Sequence, residues 1–102
     1  MRELDMLEIV PWNSIRFRMA FPQDGVLGPW DWADMDTLNE MDDGALSLLV
    51  EGREISIRDW HGTWVVSGPW GERILPDWMA ACVIGVALSY YTAHFTPPTA
   101  RV

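Results

Sequence analysis

The strongest constraint on the fold lies between Ala45 and Ser67. Two tight connections, Glu51-Gly52-Arg53 and His61-Gly62, separate three runs rich in β-formers: Ala45–Val50, Glu54–Trp60 and Thr63–Ser67. Turns this short leave no room for a crossover, so consecutive runs must pair antiparallel as a meander, with Ile55 and Ile57 inward. An earlier segment, Ser14–Phe21, alternates Ile15, Phe17, Met19 and Phe21 with Ser14, Arg16, Arg18 and Ala20, the period of a strand with one face on a core. Leu7–Val10 reads as a further short strand ended by Pro11, and Pro22–Pro29, with Gly25 and Gly28, as loop.

Two helices complete the expected architecture. Asp31 is placed as an N-cap for a helix running to about Asp43, with Trp32, Met35, Leu38 and Met41 inward and Gly44 as its stop. Gly68, Pro69 and Gly71 break the meander. Asp77 then caps a second helix that runs to about Phe95, before Pro97 and Pro98. The predicted fold is a single α+β domain over 1–102, an antiparallel sheet of four or five strands packed by two helices, in the order β-β-α-β-β-β-α. Residues 1–5 and 97–102 are expected to fray.

The second helix invites another reading. Trp78–Phe95 is an 18-residue stretch without Asp, Glu, Lys or Arg, the lower limit for a membrane span, and aromatic residues sit near its ends. Ser89, Thr92 and His94 lower its hydrophobicity and no second span follows, so a core helix is the expectation, with membrane association through 78–95 the minority alternative. Ala81, Gly85 and Ser89 fall four apart, a small-residue ridge suited to lying close on a sheet, or to a homodimer seam. Gly28-Pro29-Trp30 and Gly68-Pro69-Trp70 echo each other ahead of the two helices; two copies with unequal spacing read as repeated punctuation rather than duplication.

Charge narrows function. The chain carries 15 Asp and Glu against seven Arg and no Lys, a net charge of −8. The interval between Arg18 and Arg53 holds Asp24, Asp31, Asp34, Asp36, Glu40, Asp42, Asp43 and Glu51 without a basic residue, so this third carries the whole imbalance. Direct nucleic-acid or anionic-membrane binding is therefore not expected. From Asp31 onward the order helix, three antiparallel strands, helix is that of the double-stranded-RNA-binding domain. That domain meets phosphates with basic side chains at its second helix, and here that helix has none.

No motif names a reaction. Cys82, among Ala80, Ala81, Val83 and Ile84, reads as a buried structural thiol rather than a nucleophile; a single cysteine excludes a disulfide framework. His61 and His94 lack metal-ligand spacing and read as a turn residue and a helix C-terminal cation. The run Asp34–Glu40 resembles a calcium loop at its first two acids, then has Leu38 at a ligand position and Ala45 where the twelfth-position Glu belongs. No phosphate loop or hydrolase elbow is present. Neither an enzyme, a metal nor a cofactor is expected.

The candidate binding surface is the acidic interval. Asp31, Asp34, Asp36, Glu40, Asp42 and Asp43 on or beside the first helix can imitate the phosphate field that a basic groove recognises, with Trp30 and Trp70 (or Trp60) as aromatic anchors. The alternative is a solvated face that keeps a Trp-rich protein soluble. In size, acidity and lack of motif the chain resembles the small inhibitors of bacteriophages and mobile elements, such as anti-CRISPR and anti-restriction proteins; this likeness of type carries no residue across. It implies a basic nucleic-acid-binding protein or complex as partner. An immunity protein or antitoxin against a basic nuclease, and a homo-oligomeric assembly subunit, are the rival expectations. Arg without Lys suits a GC-rich bacterial or phage genome. The amino terminus has no apolar signal segment, so the expected location is the cytoplasm of a bacterial host.

Overall fold

A computed structural model describes residues 3–41 and 44–95. The chain runs α1 (Glu3–Ile9), β1 (Phe17–Ala20), β2 (Pro22–Gln23), β3 (Val26–Leu27), β4 (Asp31–Ala33), α2 (Met35–Asn39), β5 (Leu46–Val50), β6 (Arg53–Trp60), β7 (Thr63–Gly68), β8 (Gly71–Leu75) and α3 (Trp78–His94). Six strands form one antiparallel sheet in the order β4-β1-β5-β6-β7-β8, and β2 and β3 make a separate small hairpin. The expected α+β class with an antiparallel sheet is what the chain adopts; the sheet gains β4 and β8 beyond the anticipated strands.

The meander follows from its turns. Glu51-Gly52 and His61-Gly62 both adopt positive φ, 51° and 78°, then 55° and 85°. Two consecutive left-handed residues define the mirror-image turn whose twist matches paired strands. The pairs Val50↔Arg53 and Trp60↔Thr63 close directly across these two-residue loops. Asp24-Gly25, at 53° and 79°, does the same within the segment expected to be loop, producing the β2–β3 hairpin. Gly68 and Gly71, expected to break the sheet, instead pair with each other across Pro69-Trp70 and launch β8.

The cross-strand register sorts side chains into two faces. The rows Asp31–Met19–Leu48–Ile55 and Leu46–Ile57–Val66–Arg73 face α3. On the other face run Trp32–Arg18–Leu49–Glu54 and Ala20–Ser47–Ser56–Ser67–Glu72. The core lies between sheet and α3, where Phe17, Leu46, Leu48, Val50, Ile55, Ile57 and Val66 meet Trp78, Ala81, Cys82 and Val86, all buried.

Helix α3 begins where the sequence places it, with the Asp77 carboxylate accepting from the Ala80 amide at 2.7 Å. Its lack of charge has a packing cause: β5 to β8 cover one side while α1 and α2 pack elsewhere on it, so little of the helix meets water. At the centre of the small-residue ridge Gly85 lies close on the sheet, since a Cβ there would lie 2.8 Å from Ile55 Cδ1 and 2.9 Å from Val66 Cγ2, and Ala81 and Ser89 are buried on either side of it. No helix among the described residues is long and apolar enough to cross a membrane.

Three expectations are corrected. Leu7–Val10 is not a strand: Leu7 to Ile9 close α1, which begins at Glu3 within the segment expected to fray. The strand expected over Ser14–Phe21 is confined to Phe17–Ala20, because Pro11 to Ser14 form a turn in which the Ser14 amide donates to the Pro11 carbonyl at 2.8 Å. Along it Ile15 and Phe17 are buried as expected, but Phe21 leaves the sheet and is exposed. The helix expected from Asp31 to Asp43 is only Met35–Asn39; Asp31, Trp32 and Ala33 pair with β1 as an edge strand. Asp31 is therefore no cap, and Trp32 points to solvent at 57% exposure rather than into the core. With β8 inserted before α3, the chain also departs from the element order of a double-stranded-RNA-binding domain.

Candidate functional site

Asp34, not Asp31, starts α2. Its Oδ1 accepts from the Thr37 amide at 2.9 Å and from the Thr37 hydroxyl at 3.0 Å. Both residues could cap; the threonine three positions on decides, since it gives Asp34 a second donor. These two hydrogen bonds, the backbone one foremost, hold the Asp34 carboxyl below its usual range, with the positive charge of Arg16 assisting. Asp36 lies in the first turn of α2 and Glu40 is its C-cap. The carboxylates of Asp31, Asp34, Asp36 and Glu40 are all exposed at one edge of the molecule, whereas Asp42 and Asp43 lie outside the described residues.

Asp34 and Asp36 converge on a cleft of about 400 Å³, lined also by Trp12, Asn13, Met35, Asn39 and Val83. Three pieces of chain line it. Pro11 opens the turn that carries Trp12 and Asn13; the Trp12 indole donates to the Leu7 carbonyl at 3.0 Å, which fixes the ring to the end of α1. Helix α2 contributes both carboxylates and Asn39 across the cleft, and α3 supplies Val83. Carboxylates and amides at the rim, with an aromatic ring and apolar side chains below, suit a cationic group on an aliphatic stem. Asp31 and Glu40 flank this cleft in sequence without lining it. Charge made Asp34 and Asp36 legible in advance; Trp12, Asn13 and Asn39 gave no signal beyond the Pro-Trp-Asn-Ser turn composition.

The tryptophans named as anchors separate. Trp30 is half-buried in the approach to β4, near the acidic edge. Trp70 is half-buried in the β7–β8 turn, its ring packed so closely over Gly68 that any Cβ there would collide. Strands β4 and β8 are the two opposite edges of the sheet, five interstrand steps of about 4.8 Å apart. Trp70 thus belongs to the core of the far edge and is distant from the acidic residues. Trp60, at 50% exposure, stands at the end of β6 against the His61 ring.

The remaining chemistry is quiet. Cys82 is fully buried, and desolvation pushes its thiol up to about 12, so it stays protonated and unreactive at neutral pH. His94, in the last turn of α3, has its Nε2 3.2 Å from a Glu51 carboxylate oxygen. Among the described residues no three His, Cys, Asp or Glu side chains converge to hold a metal ion. No family model, curated protein or solved structure matches the chain.

Proposed function

We propose that the chain is a small protein-binding inhibitor of the anti-CRISPR or anti-restriction type, occupying a basic surface of a nucleic-acid-handling protein with its acidic edge. The observation that carries this reading is the convergence of Asp34 and Asp36 on a recess walled by Trp12. An arginine or lysine of the partner would enter there, its charge against the two carboxylates and its stem against the ring and Met35. Asp31 and Glu40 extend the negative field to either side and raise the rate of encounter with a basic surface. A binding role is preferred to an enzymatic one because the Asp34 carboxylate is already engaged by the Thr37 amide and hydroxyl, which hold it ionised as a fixed charge rather than poise it to exchange a proton.

The test is capture from bacterial lysate with the wild type beside a variant carrying Asp31→Asn, Asp34→Asn, Asp36→Asn and Glu40→Gln, at two salt concentrations. Asn at position 34 preserves the helix cap, and circular dichroism checks the fold. The expected result is a nucleic-acid-binding protein retained by the wild type, weakened by salt and lost in the variant. A captured nuclease toxin would point instead to an immunity protein. Equal capture by both proteins would refute the role of the acidic edge, and recovery of only the protein itself would favour an assembly subunit.

A further inference from the structure

The face of the sheet opposite α3 holds a second arrangement, built from the opposite charge. Five arginines lie among the described residues. Arg53 donates to the carbonyls of Glu51 at 3.1 Å and Thr92 at 3.3 Å, Arg58 pairs with Glu72 at 3.4 Å, and Arg73 donates to the Glu72 carbonyl at 3.1 Å. Arg16 and Arg18 have no carboxylate within ion-pair distance among the described residues. Both instead lie over the exposed Trp32 ring, with Cζ 4.9 Å and 4.5 Å from its centroid.

The backbone sets this up. Arg18 and Trp32 are direct cross-strand partners, and Arg16, just ahead of β1, reaches the same ring. A guanidinium held over a ring face by the ring's quadrupole keeps more N–H donors than the ring can engage, and its planar fork of donors is the group that grips an oxyanion. The three side chains line a cleft of about 310 Å³ together with Phe17, Leu49, Glu51 and Gly52. The single carboxylate in that lining, Glu51, is turned to His94. A chain of net charge −8 therefore holds two guanidiniums over one exposed aromatic ring beside Leu49, neither with an ion-pair partner among the described residues.

The geometry points to a binding site for a phosphate monoester carried on a planar or apolar body. The phosphate bridges Arg16 and Arg18, and the body lies against Trp32 and Leu49. Two guanidiniums match a phosphate carrying about −1.5 to −2 charges at neutral pH better than a singly charged carboxylate. The overall negative field favours a small ligand over a polyanion. Arg16, whose charge also reaches Asp34, is the one residue common to both regions; the phosphate site does not otherwise rest on the acidic-edge reading.

Phenyl phosphate is the probe, followed by NMR at the tryptophan indole N–H signals, with the Trp32 signal assigned from Trp32→Phe. The expected result is a saturable shift at Trp32, tighter for phenyl phosphate than for inorganic phosphate or benzoate. Arg18→Gln and Arg18→Lys should each weaken it about tenfold or more, the lysine because it keeps the charge but loses the planar fork. Position 18 is exposed, and unchanged signals from the other indoles establish that each variant is folded. Absence of a saturable shift, equal affinity for benzoate, undiminished affinity in Arg18→Gln, or tighter binding of a single-stranded oligonucleotide would each overturn the proposal.

Discussion

Gly85 lies where α3 crosses β6 and β7, and the closeness of that crossing depends on its having no side chain. A methyl group there would meet Ile55 Cδ1, which can swing aside, and Val66 Cγ2, which is held by a stiff β-branched rotamer. Gly85→Ala gains about 1 kcal/mol of helix propensity and loses about 1–3 kcal/mol to overpacking, so a lowered melting temperature is expected. An unchanged or raised value would mean that α3 can lift from the sheet without loss. Two tryptophans give a sharper contrast. Trp78 is 5% exposed and its indole donates to the Gly44 carbonyl, while Trp32 lies in solvent over Arg16 and Arg18. In urea denaturation, Trp78→Ala should cost about 3–5 kcal/mol and Trp32→Ala less than about 1 kcal/mol. Comparable losses would contradict the edge-strand placement of Trp32.

Hairpins dominate at the scale of elements. Gly62, at φ 85°, occupies a conformation that L side chains avoid, and the space around it is open, so Gly62→Ala isolates the backbone term. A loss of about 1–2 kcal/mol is expected from urea denaturation; no loss would mean that the turn can change type without disturbing the β6–β7 register. The same turns explain what could be read from sequence. An X-Gly pair between β-formers leaves one geometry, so β5 to β7 were legible, and Asp77 ahead of a charge-free run made α3 legible. Strand β8 was hidden because Gly68, Pro69 and Gly71 build a turn from residues that also end sheets. Helix α1 was hidden because Leu7–Val10 is too short to show a period. Helix α2 was misplaced by three residues because Asp31 and Asp34 are equally good caps until Thr37 and the pairing of Trp32 with Arg18 choose between them. The acidic half of the candidate cleft followed from charge, whereas Trp12, Asn13 and Val83 reach it only through the packing of α1 and α3, which local sequence does not encode.

At the scale of the whole molecule, charge and chemistry are sorted by place. Four exposed carboxylates share the β4–α2 edge, the two arginines without an ion-pair partner among the described residues lie on the adjoining face, and the far edge ends in β8. Among the described residues nothing pairs with the outer side of β8, where Ile74 is 59% exposed. Such an edge is a template for another strand. Near neutrality the surplus of eight negative charges drives copies apart, but at the isoelectric point of about 4.4 that repulsion is gone. The Asp34 cap outlasts this change: its carboxyl, lowered by the Thr37 hydrogen bonds, contributes stability above the ordinary value of 3.8 that is lost only as pH falls through its lower folded value. Association at pH 4.4 is therefore expected with the α2 cap still in place, circular dichroism at that pH checking the rest of the fold. Light scattering should rise reversibly as pH is lowered to that point and stay flat in Ile74→Lys, whereas a wild type that remains monodisperse would show the edge to be guarded by other means. The acidic surplus is then also a colloidal device, keeping copies of an open-edged sheet dispersed even where they are concentrated.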